Sequence, residues 1–332
     1  MSRASALVRR FGIQAGTIRK IRRGVYRVDT LAGKRYSLKQ MPMNQARLLW
    51  IDRTLRRIRA RGFARLVWRY PERPEGRRLC VIAQDATFVL TPWIAGRHPD
   101  PRSPADMQAC GAALARFHAA GRAVSARGGH AAQSRIGAWQ SELRERRREL
   151  QRNLAPARRR RFGAGMNRLL RQHGPELLQY ADRAEKMLRT GPYRTFRFTA
   201  RSNASLCHGD GGPSNFLLGA DGAYLLDFET LHVNLRAYDL YRIVYNSCKD
   251  YGWHFTTAQA ILDGYRKVAA LRRHDYELMK PWLRFPRTTG LVLAPGDRIP
   301  TTEGRLQWAL ASERRISRFL RQLDRYAAAH SE

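Results

Sequence analysis

The chain has 332 residues, with 62 Lys and Arg against 27 Asp and Glu, a formal net charge of +35. A hydrophobic share of 43% supplies a substantial core, so wholesale disorder is not expected, and the length suits two domains or one domain with two lobes. The N-terminus, MSRASALVRRFGIQAG, lacks the apolar run of a secretory signal, and no later window offers the roughly 18 uninterrupted apolar residues of a membrane span.

Taken in chain order, residues 4–12 read as a short helix. Strands follow at 18–30 and 34–41, turned as a hairpin at Ala32-Gly33. Residues 43–61 carry Leu48, Ile51, Leu55 and Ile58 at helical spacing, and Gly62 closes the element. Strands are expected again at 79–84 and 86–91. Pro92, Gly96, Pro99, Pro101 and Pro104 then punctuate the chain as a linker would. Beyond them the pattern is helical at 104–120, 135–152, 162–172 and 175–189. A strand pair within 205–228 interrupts it, before helices at 236–249, 256–273, 275–283 and 303–329. Cys80, Cys110, Cys207 and Cys248 form no C-x-x-C pair, so free thiols are expected ahead of a zinc site or disulfides.

The positive charge is almost all arginine. Its densest stretch, 142–161, holds nine arginines and three glutamates. Its first half reads as a charged helix with i,i+3 and i,i+4 pairs, interrupted at Pro156 before Arg158 to Arg161. Two readings stand: a solvated helical face, or a dock for an anionic polymer or nucleic acid. No nucleic-acid motif accompanies the charge, so sequence-specific recognition is not supported.

The chemistry is concentrated in Leu206-Cys207-His208-Gly209-Asp210-Gly211-Gly212-Pro213-Ser214-Asn215 and, after a turn at Asp221-Gly222, Leu225-Leu226-Asp227-Phe228-Glu229. A hairpin between the two segments brings Asn215 and Asp227 together as oxygen ligands for Mg²⁺, with Asp210 in a glycine-rich loop to accept a hydroxyl proton. Singly, each of these residues reads as a turn, a cap or a structural histidine; jointly they suit phosphoryl transfer.

This H-x-D-x-x-x-x-N pattern followed by D-F resembles the kinase superfamily in its aminoglycoside phosphotransferase branch. The chain as a whole is similar to the spore coat kinase-like proteins of the CotS type. That likeness runs through GVYRVDT and KRYSLKQ, RARGF, LTPWIAGR, AYDLYRIV and Phe285-Pro286-Arg287. It implies an α+β, bilobal protein-kinase-like fold. A small β-rich nucleotide lobe would occupy 1–93, a hinge would lie near 90–96, and a helical catalytic lobe would occupy 97–332. ATP and Mg²⁺ are the implied cofactors. Lys39 would contact the α- and β-phosphates, and Asn215 and Asp227 would hold the metal. Asp210 would be the catalytic base, with His208 supporting its loop and Asp239 bracing it. Leu90-Thr91-Pro92-Trp93 would form the hinge, with Thr91 and Trp93 against adenine.

Several features depart from that pattern. Only Gly24 stands where a glycine-rich loop is expected, and Arg22 and Arg23 beside it are taken to face solvent. Residues 40–71 contain no glutamate to hold Lys39, leaving Asp52 or Gln45 as substitutes. Pro92 has no N–H for adenine, so Trp93 is the alternative donor. Gly211 and Gly212 suggest an open loop with room for a bulky acceptor. The net charge disfavours a polycationic acceptor and suits an anionic or neutral hydroxyl compound, polysaccharide or protein Ser/Thr. The resemblance places the protein in the cytoplasm of a sporulating cell or on the spore coat. Two rivals remain: a coat scaffold that kept the fold and lost turnover, and an anionic-polymer binder acting through 142–161.

Overall fold

The computed structural model describes residues 3–68, 78–125, 133–158, 162–196, 204–294 and 301–331. The chain divides into two compact units, Met1–Pro99 with Ser214–Leu231, and Asp100–Pro213 with His232–Glu332.

In the first unit, α1 (Arg3–Arg10) precedes β1 (Ala15–Arg22), β2 (Val25–Thr30) and β3 (Arg35–Met41). After α2 (Gln45–Ala60) come β4 (Val81–Ala83) and β5 (Ala86–Pro92), giving an antiparallel sheet of order β1-β2-β3-β5-β4. The stretch expected as one strand over 18–30 is two, because Gly24 adopts a left-handed φ of 74° and turns the chain. Side chains alternate across the sheet. Tyr36 and Leu38 of β3 and Phe88 and Leu90 of β5 join Leu7, Val8, Val28 and Val81 in one apolar cluster. Ser37, Lys39 and Met41, with Val89 and Thr91, therefore present to the opposite face. Asn44 caps α2 by accepting the Arg47 amide at 3.0 Å, and the Leu48, Ile51, Leu55 and Ile58 stripe is fully buried.

The hairpin of β7 (Phe216–Gly219) and β8 (Gly222–Leu225) belongs to this unit through its backbone. The Val67 amide donates to the Leu225 carbonyl at 2.8 Å, and the Leu225 amide to Arg65 at 3.0 Å. On the other strand Arg97 and Leu218 exchange both bonds, at 3.1 and 2.8 Å. Gly96 permits that approach, since a Cβ there would lie 2.5 Å from the Leu218 carbonyl oxygen.

The second unit contains α3 (Pro104–Ser125), α4 (Trp139–Arg158), α5 (Ala164–Thr190) and α6 (Tyr193–Phe196). The short pair β6 (Ser205–Cys207) and β9 (His232–Asn234) precedes α7 (Arg236–Cys248), α8 (Phe255–Arg266), α9 (Arg273–Arg284), α10 (Arg287–Leu293) and α11 (Glu303–His330). The sequence suggests a break before Pro175, yet α5 runs through it. Leu170, Leu177, Ala181, Ala184 and Leu188 form one buried stripe on both sides of the proline, and that burial outweighs the roughly 3 kcal/mol an internal proline costs. Helices α3 and α8 cross where glycines meet the facing backbone. A Cβ on Gly111 would lie 2.0 Å from the Ile261 oxygen, and one on Gly264 2.1 Å from that of Gln108. Trp139, Tyr193, Tyr238, Tyr241 and Trp282 stack and cross at centroid separations of 4.9 to 6.1 Å.

On α4, Arg146 pairs with Glu142 at 2.9 Å and Arg147 with Asp182 at 2.5 Å, while Arg144, Arg148 and Arg152 are exposed. The helix continues past Pro156 to Arg158; Arg159 to Arg161 lie outside the described residues. All four cysteines are free, and burial raises the thiol pKa of Cys110, Cys207 and Cys248. Among the described residues, no helix is long and apolar enough to cross a membrane.

Candidate active site

Lys39 sits on the middle strand of the sheet, opposite Val25 of β2 and Val89 of β5. Its ammonium lies 2.7 Å from Asp227 and 2.6 Å from Glu229. Asp227 follows β8 in a left-handed conformation, φ 61° and ψ 69°, a region that aspartate tolerates better than most side chains. The 3₁₀ turn Phe228–Thr230 then returns Glu229 to the same cation. Burial raises the pKa of Glu229, and Lys39 works against that rise.

Neither substitute for a helix glutamate reaches Lys39. Asp52 is buried on α2, where it accepts the Trp68 indole N–H at 3.1 Å and pairs with Arg56 at 3.0 Å; burial raises its pKa. Gln45 is exposed in the first turn of α2. The helix instead supplies a cation: Arg47 donates to the Leu231 carbonyl and fixes the loop that carries Glu229. The acid two residues beyond Asp227 was visible in the sequence, but its approach to β3 depends on how the hairpin is hydrogen-bonded.

Lys39, Asn215 and Asp227 line a cavity of about 460 Å³, walled by Val25, Val89, Leu217, Leu226 and Phe228. Asn215 ends a 3₁₀ turn, Pro213–Asn215, and its carbonyl accepts the Leu226 amide at 2.9 Å. Thr91 and Trp93 also line this cavity, but the Trp93 amide donates to Arg35 at 3.0 Å and is not available to an adenine. Arg22 and Arg23 are both exposed, as expected, although Arg22 borders the cavity. The lysine, the carboxylates and an amide oxygen against apolar walls fit a nucleotide phosphate with a hard divalent cation.

In the second unit, Asp210 is braced by a separate set of bonds. Asp239 of α7 is fully buried and accepts the backbone amides of His208 at 2.6 Å and Gly209 at 2.7 Å. It also meets His118 Nε2 at 3.0 Å, while His118 Nδ1 lies 2.8 Å from the Tyr265 hydroxyl. Burial raises the Asp239 pKa, but His118, His208 and the amide bond outweigh it, and the carboxyl is held below its ordinary value. The buried His208 ring accepts the Asp210 amide through Nδ1 at 3.3 Å.

Two further contacts were not anticipated. Arg242 pairs with the Asp210 carboxylate, and Asn246 Nδ2 lies 3.4 Å from the same oxygen while donating to the Gly211 carbonyl at 2.7 Å. Asp239, Arg242 and Asn246 share one face of α7 by their spacing of three and four, which the sequence carries. The two loop glycines do not open room for an acceptor. Both are buried against α7, and a Cβ on Gly212 would stand 2.9 Å from Asn246. Their lack of side chains lets the loop lie flat on the helix.

An antiparallel sheet, a helical remainder, a D-F strand end beside a strand lysine and a braced H-x-D loop define the aminoglycoside phosphotransferase-like fold. Residues 19–282 match the sequence model of the Phosphotransferase enzyme family, and the chain belongs to that family. No curated protein matches the chain in sequence. Among solved structures, it is similar to an aminoglycoside phosphotransferase from Alicyclobacillus acidocaldarius, at 19% identity and TM-score 0.82, covering 98% of this chain and 96% of that one. It also resembles the spectinomycin phosphotransferase APH(9)-Ia in complex with ADP and spectinomycin, at 14% identity, TM-score 0.60 and 95% of each chain. The amicoumacin kinase hAmiN with AMP-PNP, Ca²⁺ and Ami is similar at 14% identity and TM-score 0.62, over 98% of this chain and 94% of that one.

Proposed function

We propose that this protein is an ATP- and divalent-metal-dependent phosphotransferase that phosphorylates a hydroxyl on an anionic or neutral acceptor. The observation that carries the reading is Lys39 held by Asp227 and Glu229 beside Asn215 in one cavity. Bound Mg²⁺·ATP supplies the transferable phosphoryl group and charge neutralisation. Lys39 would bind phosphate oxygens, Asn215 and Asp227 would hold the metal, and Glu229, 2.6 Å from Lys39, would keep the lysine oriented. Asp210 accepts the acceptor's hydroxyl proton, and Arg242 and Asn246 fix its carboxylate in one orientation. Thr91 lines the adenine end, where the Trp93 amide is engaged by Arg35.

The chain's net charge and the base's surroundings support this acceptor class. A guanidinium beside Asp210, in a chain of net charge +35, repels a polycationic sugar and attracts a phosphorylated or carboxylated one. Glu229 weakens the scaffold rival, which rested in part on the missing helix glutamate. A spore-coat role rests on the sequence resemblance alone.

The test is calorimetric ATP binding with and without Mg²⁺, in wild type and Asp227→Ala, followed by ATP consumption with sugar phosphates and with aminoglycosides as acceptors. Micromolar, Mg²⁺-dependent binding lost in Asp227→Ala, with turnover on the anionic acceptors, supports the reading. Folded protein that binds no nucleotide refutes it, and turnover on aminoglycosides alone refutes the acceptor class.

A further inference from the structure

A second cavity, of about 560 Å³, lies wholly within the second unit and contains none of the residues assigned to phosphoryl transfer. Its size falls in the range of small-molecule sites, roughly 300–1,000 Å³. Its lining includes the exposed Arg122 and Arg272. Arg236 is less exposed and is paired with Asp275 at 2.8 and 2.6 Å, so among the described lining residues three arginines stand against one carboxylate. Apolar surface comes from Leu235, Val268, Ala269 and Leu278, and Phe196 faces His274 with ring centroids 4.5 Å apart. Cationic groups beside apolar and aromatic surface suit one ligand class, an organic anion with an apolar body.

The inner wall is connected to the catalytic loop. His118 and Tyr265 line the cavity and are joined at 2.8 Å. His118 meets Asp239 at 3.0 Å, and Asp239 holds the amides of His208 and Gly209 immediately before Asp210. Contact with His118 or Tyr265 therefore bears on bonds that fix the base, through a continuous hydrogen-bonded chain.

We propose that this cavity is a binding site for a small organic phosphate or carboxylate, and that its occupation stiffens the loop carrying Asp210. The probes are phenyl phosphate and benzoate, which separate the two anion types, with phenol as the uncharged control, titrated calorimetrically into the full chain at moderate salt. The variants are R122E/R272E, which reverses the charge of the exposed lining, and Ala269→Trp, which fills the cavity from a half-exposed position. R144E/R148E makes the same change of net charge on the exposed face of α4 and controls for non-specific attraction. Support is saturable binding of at least one anion below about 1 mM. It should weaken by about tenfold or more in R122E/R272E and Ala269→Trp, stay within about twofold in R144E/R148E, and be absent for phenol. Bound anion should also slow amide exchange at His208 and Gly209. No saturable binding of either anion up to about 10 mM overturns the site, as does equal weakening in both charge-reversal variants. Binding with unchanged exchange at His208 and Gly209 overturns the link to the loop.

Discussion

Replacing Glu229 by glutamine tests the replacement of a helix acid by one on the D-F-E turn. Lys39 lies 2.6 Å from Glu229 and 2.7 Å from Asp227, with the three side chains 21 to 27% exposed. A pair of unit charges near a protein surface attracts by about 4 kcal/mol at 4 Å, and desolvation offsets much of it. In Glu229→Gln the lysine keeps only Asp227, the residue proposed to hold the metal, so two demands would fall on one carboxylate. The expected result is about tenfold weaker Mg²⁺·ATP binding, equivalent to about 1.4 kcal/mol. Calorimetry with Mg²⁺·ATP measures it, and circular dichroism melting verifies the fold. The partner variant is Asp52→Ala, which leaves the Trp68 indole without its acceptor. It should lower stability by about 1–3 kcal/mol and leave nucleotide affinity within about twofold. If Glu229→Gln binds normally and Asp52→Ala loses binding without unfolding, the reasoning is wrong and the helix acid is the partner after all.

Other consequences follow from particular contacts. Arg242→Gln should cut basal ATP hydrolysis by about tenfold while nucleotide affinity stays unchanged, because its partner is Asp210; a parallel loss of affinity would refute that division of labour. Glu313 on α11 is fully buried, accepts the Thr289 amide at 3.1 Å, and burial lifts its pKa from 4.5 to about 7. Between those values only the unfolded chain releases this proton, so stability falls as pH rises through the window and levels off above it. The contribution is about 3 kcal/mol, and Glu313→Gln should remove that slope in urea denaturation between pH 5 and 7.5. Gly111→Ala should destabilise by about 3 kcal/mol, since its Cβ would lie 2.0 Å from a carbonyl oxygen of α8. Gly290→Ala on α10 meets nothing within 4 Å and should stabilise by about 0.5 kcal/mol, so equal melting temperatures for the two would contradict the crossing geometry.

The sequence determined what depends on local spacing. Helical periodicity marked α2, α3 and α11, because a buried face imposes its period on the residues that form it, and short runs between turn residues marked β3 and β5. The H-x-D-x-x-x-x-N and D-F segments were legible because the loop at 208–215 and the hairpin that follows it are contiguous in the chain. Tertiary structure alone decided which charges meet. Glu229 reaches Lys39 only because the β7–β8 hairpin is hydrogen-bonded to residues 65–67 and 97. Asp52, the acid nearer Lys39 in sequence, is drawn instead to an indole N–H and an arginine on its own helix. Arg242 and Asn246 reach the Asp210 loop because Gly211 and Gly212 let it lie against α7. Partners separated by many residues are chosen by packing and by the need to pair buried charge, and neither leaves a local pattern in the chain.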